Sequence, residues 1–188
     1  MLGGNASTVQ RDRTALLEHN GYKLAFTMLE MEGAASTVHS RPFPPGVMVR
    51  PARSADAAQV HALAQRVWAG RPYVSLPSEN SLRGWLNRSD LSLFRVAIAG
   101  GRMVGFTAAA CTPLRAEIED VQVDPSFQRR SLATALVTDT MTQLAGRASG
   151  PVRLHTEGHD PAGARLLYER IGFVTVREHH RFRRPLFG

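Results

Sequence analysis

Residues 119–134 read Glu-Asp-Val-Gln-Val-Asp-Pro-Ser-Phe-Gln-Arg-Arg-Ser-Leu-Ala-Thr, and this stretch decides the fold. A strand-like run from Ile118 to Val123 stops at Asp124-Pro125, and a basic turn follows. After the turn, apolar residues recur at helical spacing, as Leu132, Leu136, Val137, Met141 and Leu144. A strand, a basic turn and a helix N-terminus together favour anions, because the turn offers free N–H groups and the helix dipole adds partial positive charge. The stretch therefore predicts a phosphate-binding turn.

Two common phosphate-binding motifs are excluded by the same residues. No Gly-Lys-Ser/Thr follows the turn, so it is not a Walker loop. No Gly-x-Gly-x-x-Gly is present, so it is not a dinucleotide fingerprint.

The stretch instead resembles the acetyl-CoA pyrophosphate motif of the GNAT N-acetyltransferase superfamily, Val-x-Pro-x-x-(Gln/Arg)-x-x-Gly-x-(Gly/Ala). Here it reads Val123-Asp124-Pro125, followed by Gln128 to Ala133. A second element, Leu167-Tyr-Glu-Arg-Ile-Gly-Phe173, resembles the family's Leu-Tyr-x-x-x-Gly-Phe. Two motifs in this order, separated by one helix and one strand, are more specific than either alone. The resemblance covers roughly residues 47–186.

One position departs from the family pattern. The family usually has glycine where this chain has Ser131, because the backbone and the diphosphate come very close there. Ser131 can still donate its backbone N–H, and its hydroxyl can cap the helix or contact a phosphate oxygen. A side chain at the closest approach can equally weaken cofactor binding. Binding is expected, and the effect of Ser131 on its strength stays open.

The resemblance implies an N-acetyltransferase that moves the acetyl group of acetyl-CoA to a small-molecule or peptide amine. The expected kinetic form is direct attack in a ternary complex, since no nucleophile is positioned for a covalent step. It implies that the cofactor contacts two groups of residues in the centre of the chain. These are the strand residues Val121, Gln122 and Val123, and the turn residues Gln128, Arg129, Arg130, Ser131, Leu132, Ala133 and Thr134. Asp160 stands where many relatives have an asparagine that contacts the pantetheine arm.

Three residues are candidates for the proton transfers. Glu117 and Glu119 lie two apart on one strand and so share a face, and glutamates on this strand serve as general base in some relatives. Glu119 is slightly preferred, whereas Asp120 is expected to face the other way and to be structural. Tyr168 matches the family tyrosine that lies near the thioester sulfur and protonates the leaving thiolate, so it also contacts the cofactor. The alternatives are solvated strand carboxylates and a core tyrosine.

Other candidates are weaker. His155 is an alternative base, although a polar residue on a half-exposed strand is the commoner case. The seven histidines show no ligand spacing, so no metal is expected. Acceptor choice is expected to depend on the first two helices, their loop and the last strand pair, where an apolar pocket and a carboxylate clamp compete with an ordinary core and a solvated face. The residues are Trp68, Arg71, Tyr73, Trp85 and the cluster of Arg181, Arg183 and Arg184.

Composition narrows the class of protein. At 188 residues, with one cysteine (Cys111), the chain suits one domain with an extension and a reducing compartment. Met1 to Gln10 lack the order of a secretory signal, and no apolar run reaches roughly 18 residues, so a cytoplasmic protein without membrane contact is expected. The net charge is +7, and all but one of the 23 basic residues are arginine, the exception being Lys23. We attribute this bias to genomic base composition, so it does not identify the substrate.

Two rival functions stay open. A non-catalytic acyl-CoA-binding regulatory module would bind cofactor without turnover on any amine. An arginine-rich nucleic-acid binder would lose affinity steeply with salt, but no known binding motif supports it, so nucleic acid is not an expected partner.

From residue 47 the element order is β-α-α-β-β-β-α-β-α-β-β, with the last two strands at Phe173 to Arg177 and His180 to Arg184. This predicts an α/β protein of the α+β type: the GNAT fold, a central mixed, mostly antiparallel sheet splayed in the middle and flanked by helices. Residues 47–188 are the predicted GNAT domain.

Residues 1–46 are a predicted extension, a helix and a strand followed by a proline-rich linker. The run Ala15 to Tyr22 with its following strand resembles Arg165 to Phe173 with its own. It is either the remnant of a degenerate upstream GNAT copy, as in tandem-GNAT proteins, or an ordinary helix-turn-strand extension. The strand needs an edge to pair with, in this chain or in a homodimer.

Overall fold

The computed structural model describes residues 1–35, 38–72, 74–159 and 162–185. Its helices and strands, in chain order, are β1 (Leu2–Ser7), α1 (Arg11–His19), β2 (Lys23–Gly33), β3 (Met48–Pro51), α2 (Ala57–Val67), α3 (Glu79–Arg88), β4 (Arg95–Ala99), β5 (Arg102–Thr112), β6 (Arg115–Val123), α4 (Leu132–Leu144), β7 (Val152–Glu157), α5 (Ala164–Arg170) and β8 (Val174–Arg184). No helix in the described ranges is long and apolar enough to cross a membrane.

The chain forms two compact units. Unit 1 comprises Met1–Gly33 and Arg153–Gly188, and unit 2 comprises Ala34–Val152. The units thus divide after Gly33, and unit 1 takes in both ends of the sequence. The assignment of residues 1–46 and 47–188 as separate domains stays a prediction.

Unit 1 contains strands in the order β1-β8-β2-β7. Both β1 and β2 run antiparallel to β8. The strand expected in the N-terminal extension therefore pairs inside its own chain. β1 was not predicted, and the two predicted C-terminal strands are wrong: Val174–Arg184 forms a single strand, because pairing with β2 continues through the expected break.

The resemblance within unit 1 extends to backbone geometry. The N–H of Tyr22 donates to Leu17 O at 3.0 Å, and the N–H of Phe173 donates to Tyr168 O at 3.0 Å. The glycine before each aromatic residue has a positive φ, 75° at Gly21 and 97° at Gly172. Each helix thus ends in the same turn, and the strand after each turn has 11 residues. This repetition favours the hypothesis of an upstream remnant, which stays a prediction.

Unit 2 has antiparallel strands in the order β6-β5-β4-β3, with helices on both faces. α4 covers one face: a Cβ at Gly105 of β5 would lie 2.8 Å from a Leu136 methyl group. The Thr107 hydroxyl bonds that of Thr140 at 2.9 Å on the same face. The opposite face carries Phe106, whose ring contacts Trp85 of α3 with centroids 6.2 Å apart.

The proline-rich segment does not behave as a free linker. The N–H of Arg41 donates to the Thr138 hydroxyl on α4 at 3.1 Å. Phe43 and Val47 pack against a core cluster that includes Leu132 and Leu136. Residues 41–47 are therefore part of the packing of unit 2.

The end of β6 is fixed by the carboxylate of Asp124, which is 2 % exposed. It accepts hydrogen bonds from Arg66 Nε of α2 at 2.7 Å and from the N–H and hydroxyl of Ser126 at 3.0 and 2.6 Å. Burial alone would raise the pKa of Asp124, but these bonds outweigh burial and hold the pKa below its ordinary value. One carboxylate thus joins α2 to the turn that follows β6.

We expect Asp124→Asn to lower the free energy of unfolding at pH 7 by about 2 kcal/mol, less than for a fully buried pair because Arg66 is partly exposed. The depressed pKa makes this stabilisation complete above the ordinary aspartate pKa of about 4 and lost as the pH falls further. Urea unfolding of both proteins from pH 7 to pH 2 measures it. The matched control is Glu79→Gln, which breaks an exposed pair with Arg83 and should cost under about 0.5 kcal/mol. A gap between wild type and Asp124→Asn that stays constant down to pH 2 would contradict the assignment.

Candidate active site

A β-bulge in β6 sets the direction of the acidic side chains. Ile118 pairs with Ala109 and Asp120 pairs with Ala108, so Glu119 is the extra residue between two consecutive partners. The bulge shifts the alternation by one position. Asp120 therefore lies on the same face as Glu117, whose partner is Ala110. The expectation that Asp120 faces the other way is wrong, because that alternation assumed an unbroken strand.

Asp120 and Gln122 form a pair on the sheet face opposite α4. Gln122 pairs with Phe106, so it shares the face that α3 covers. Its Nε2 donates to Asp120 Oδ2 at 2.6 Å. Loss of hydration raises the pKa of Asp120 to about 6, against the hydrogen bonds from Gln122 and the Val121 N–H, and the charge of Glu119 adds to the rise. A carboxylate with this pKa is ionised at neutral pH and still basic enough to take a proton.

The two predicted bases differ in their surroundings. Glu117 forms an ion pair with Arg115. Glu119 is exposed, yet its pKa is raised, first by loss of hydration at the carboxyl group and then by repulsion from Glu117. The structure therefore brings three carboxyl groups together on β6, of which sequence reasoning had named two as bases.

The basic turn follows β6 as predicted. Pro125–Phe127 form one 3-10 turn, and Arg129 and Arg130 behind it are exposed. The guanidinium of Arg130 lies 5.2 Å from the centroid of the Phe127 ring, and Phe127 packs on the core cluster of α4. Arg130 is therefore held near the start of α4, where its charge adds to the helix dipole.

α4 begins from an unusual backbone conformation. Ser131 has φ 61° and ψ 7°, in the left-handed region, and Arg129 has φ 57°. This conformation costs a non-glycine residue roughly 1–2 kcal/mol. The Ser131 side chain makes no capping hydrogen bond. Ser131 thus adopts the backbone that glycine would favour at this motif position, and the capping role open to its hydroxyl is not taken up.

The first amides of α4 point out of the helix. The first bond from a helix amide is that of Ala135 to Ser131 O, at 3.0 Å, and no bond from Leu132, Ala133 or Thr134 N–H is seen among the residues that the structure describes. Leu132 is buried in the core cluster, which anchors this end of the helix. Three N–H donors, the helix dipole and two arginines converge on one turn, and this arrangement suits a phosphate group.

Comparison with known proteins places these features in a family. The family model "Acetyltransferase (GNAT) domain" matches residues 90–175. The chain is 33% identical over 96 residues to an uncharacterized N-acetyltransferase of Methanocaldococcus jannaschii, covering 47% of this chain and 42% of that protein. It is 28% identical over 179 residues to the mycothiol acetyltransferase of Clavibacter michiganensis, covering 90% of this chain and 58% of that protein.

These matches support a GNAT superfamily N-acetyltransferase. A GCN5-related N-acetyltransferase from Sphaerobacter thermophilus superposes on 97% of this chain and 58% of its own, with a TM-score of 0.80 at 19% identity. Ard1 from Thermoplasma volcanium superposes on 73% of this chain and 97% of its own, with a TM-score of 0.58 at 21% identity. These similarities confirm the predicted fold. The chain spans about half the length of the two acetyltransferases that it matches by sequence.

The remaining predicted residues of the GNAT site lie elsewhere. Tyr168 is in unit 1, 7 % exposed, with its ring 5.9 Å from that of Phe173. Its predicted role as acid stays a prediction. Asp160 and Tyr73 lie outside the described residues. His155 is exposed on β7, and no group of three or more His, Cys, Asp or Glu side chains suited to a metal occurs in the described ranges.

Of the expected acceptor residues, Trp85 belongs to the core of unit 2. Its ring lies 5.0 Å from Phe94 and 6.2 Å from Phe106, and both phenylalanines are fully buried. Arg71 stacks on Trp68, 5.3 Å from the ring centroid. These contacts favour the packing interpretation for Trp85.

We expect Ser131→Gly to raise the free energy of unfolding by about 0.5–1 kcal/mol, because glycine removes the left-handed strain while adding entropy to the unfolded chain. Chemical denaturation checks it. The matched control is Ser81→Gly inside α3, which has no such strain to relieve and should lower stability by about 0.5 kcal/mol. If both substitutions destabilise equally, the left-handed conformation of Ser131 carries no cost.

Proposed function

We propose that this chain is an N-acetyltransferase that transfers the acetyl group of acetyl-CoA to a primary amine by direct attack in a ternary complex. The observation that carries the proposal is the sequence of features along one segment: a strand with a carboxylate of pKa about 6, then a basic turn, then a helix start with outward N–H groups. Family membership supports acetyl transfer as the reaction type.

In this proposal the turn binds the pyrophosphate of the cofactor. The N–H groups of residues 132–134 donate to its oxygens, and Arg129 and Arg130 supply full positive charge. The strand residues Val121, Gln122 and Val123 offer backbone groups to the pantetheine arm. Gln128, directly after the 3-10 turn, contacts the cofactor where the chain enters the phosphate-binding turn. The co-substrate supplies the activated acetyl thioester.

The chemistry then needs three proton transfers. A base takes a proton from the ammonium form of the acceptor, and the neutral nitrogen attacks the thioester carbonyl. The carbon–sulfur bond breaks, and the thiolate leaves with a proton that Tyr168 provides. The new amide nitrogen loses its second proton, which restores the proton of Tyr168. Holding both substrates together supplies much of the rate enhancement, because attack becomes effectively unimolecular.

We propose Asp120 as the base, ahead of Glu119 and Glu117. Its pKa of about 6 suits proton abstraction near neutral pH. Glu117 is engaged by Arg115, and Glu119 is exposed to water. Family members act on small-molecule or peptide amines, and the similarity to mycothiol acetyltransferase makes small-molecule amines the first class to test. A cytoplasmic location and a homodimer stay predictions.

Titration calorimetry tests the cofactor site directly. We expect acetyl-CoA and desulfo-CoA to bind with similar micromolar Kd and adenosine not to bind, because the pyrophosphate makes the main contacts. Arg130→Ala should raise the Kd of acetyl-CoA about tenfold, as expected for the loss of one charge-assisted contact. The control Arg88→Ala removes an exposed arginine at the end of α3 and should change nothing. Failure of acetyl-CoA to bind would contradict the proposal. Binding of acetyl-CoA without turnover on any amine would favour the non-catalytic regulatory module.

The pH dependence tests Asp120. A base must be deprotonated, so kcat/KM should be level above the pKa of about 6 and fall tenfold per pH unit below it. Asp120→Asn should lower kcat by at least about 100-fold and abolish this limb.

Stability should move the other way in Asp120→Asn. Because the folded-state pKa lies above the ordinary value, wild type loses stability as the pH rises through about 6, and the penalty is complete above it. Asp120→Asn should therefore be more stable than wild type at pH 8 by roughly 2 kcal/mol, because the carboxyl group is mostly buried and each tenfold change in acidity corresponds to about 1.4 kcal/mol. Glu119→Gln and Glu117→Gln serve as comparisons, and a larger loss of kcat in either one would move the role of base to that residue.

A further inference from the structure

Gln122 carries a buried oxygen that the fold leaves without a hydrogen bond. The residue is 5 % exposed, and its Oε1 has no partner among the described residues. A buried polar atom without a partner lowers stability, and nearly all such atoms in native proteins are paired. We therefore expect a hydrogen-bond donor to pair with Gln122 Oε1 in another state of the protein, such as a complex with a ligand.

The other end of the same amide is fixed. Nε2 donates to Asp120 Oδ2 at 2.6 Å, which settles the orientation of the amide and turns Oε1 away from that bond. Because Gln122 is opposite Phe106, both side chains lie on the sheet face that α3 covers. The amide oxygen and a carboxylate are thus held together beside aromatic carbon.

The polar groups of β6 on this face are mostly acceptors. β6 supplies Glu117 and Asp120, with Glu119 at the bulge and Arg115 paired to Glu117. The β5 residues on the same face, Phe106, Ala108 and Ala110, carry no charge. An ammonium group has three N–H donors and one positive charge, so it complements an amide oxygen and a carboxylate better than a carboxylate or a phosphate does.

We propose that Gln122 Oε1 and the Asp120 carboxylate together bind the amino group of the acceptor, and that they select a cationic primary amine on an apolar skeleton without a neighbouring carboxylate. This rests on the proposed function and specifies its substrate class. Asp120 takes a proton from the ammonium group. Gln122 Oε1 keeps a hydrogen bond to the amine nitrogen while the lone pair of that nitrogen points to the thioester carbon. A carboxylate next to the amine would face the acidic side chains of β6 and be repelled.

Steady-state kinetics with acetyl-CoA and 2-phenylethylamine, followed by thiol release, test the proposal in the full chain. Gln122→Met has nearly the same shape without the amide, and should raise KM for the amine about 10- to 100-fold, the loss of one hydrogen bond to a charged group. The Kd of acetyl-CoA should change by less than about twofold. Gln122→Glu keeps an acceptor oxygen, so its KM for the amine should stay within about fivefold of wild type, whereas its kcat should fall because a carboxyl group that shares a proton with Asp120 makes Asp120 a weaker base. Phenylalanine should have a KM at least about tenfold above that of 2-phenylethylamine.

Thr107→Val is the matched control, since Thr107 is equally buried on the adjacent strand but faces α4. It should lower the melting temperature by about 3 °C and leave the amine KM unchanged. If Gln122 were merely structural, Gln122→Met would lower the melting temperature and leave the KM for the amine unchanged, as Thr107→Val should. An unchanged KM with thiol release intact would contradict the amine site but not the proposed acetyl transfer.

Cofactor binding without thiol release by wild type would instead count against the proposed function. Titration of 2-phenylethylamine into the CoA complex then decides the amine site. Binding of 2-phenylethylamine that is weaker in Gln122→Met than in wild type would support the amine site. Equal binding by both proteins, or no binding by wild type, would contradict it.

Discussion

The buried carboxylate of Asp124 connects several elements of unit 2. A buried charge costs several kcal/mol unless its partners are all in place, so Arg66 and Ser126 have to be positioned together. The Asp124 N–H also donates to Val104 O at 2.9 Å, and Arg66 reaches Met103 O at 2.9 Å. Hydrogen bonds therefore join helix α2, strand β5, the end of β6 and the turn into one connected piece. The geometry between the β6 carboxylates and the start of α4 follows from it.

Much of this piece could be predicted from the sequence, because its signals are local. The stop of β6 at Val123 follows from Asp124-Pro125, and the buried face of α4 follows from apolar spacing. The resemblance of two motifs then supplied the fold. The predicted cofactor residues around Ser131 lie in the turn and helix start where they were expected, although their contacts with cofactor stay predictions.

What could not be predicted depends on pairing between distant strands. The bulge at Glu119 has no glycine or proline to mark it, yet it reverses the face of every later residue of β6. The direction of Asp120 was therefore misjudged, and Gln122 was considered only as a backbone contact although its side chain lies on the same face as Asp120. β1 was missed because Gly3, Gly4 and Asn5 have poor strand propensity, and it forms because the edge of β8 is there to pair with.

The acidic strand also changes the meaning of the net charge. A chain with a net charge of +7 would be expected to attract anions throughout, yet β6 holds Glu117, Glu119 and Asp120 within four positions. The basic residues of the turn begin only after Asp124. One continuous segment thus carries a cation-favouring strand and an anion-favouring turn, and this arrangement can hold an amine and a polyphosphate at the same time. The local order of charges is more informative than their sum.

Two destabilising features of this segment, the left-handed backbone of Ser131 and the unpaired Oε1 of Gln122, have different consequences for ligand binding. Hydrogen bonds from the N–H groups at the start of α4 to a phosphate would not require Ser131 to leave the left-handed region, so its strain lowers stability and need add nothing to affinity. The unpaired Oε1 of Gln122 lowers the stability of the free protein only, because an N–H donor from a ligand would satisfy it. A cost that exists in the free state and disappears on binding is recovered as binding free energy. Of the two, therefore, only Gln122 can contribute to recognition of a substrate, whereas Ser131 gives the turn its shape and could be replaced by glycine without loss of that shape.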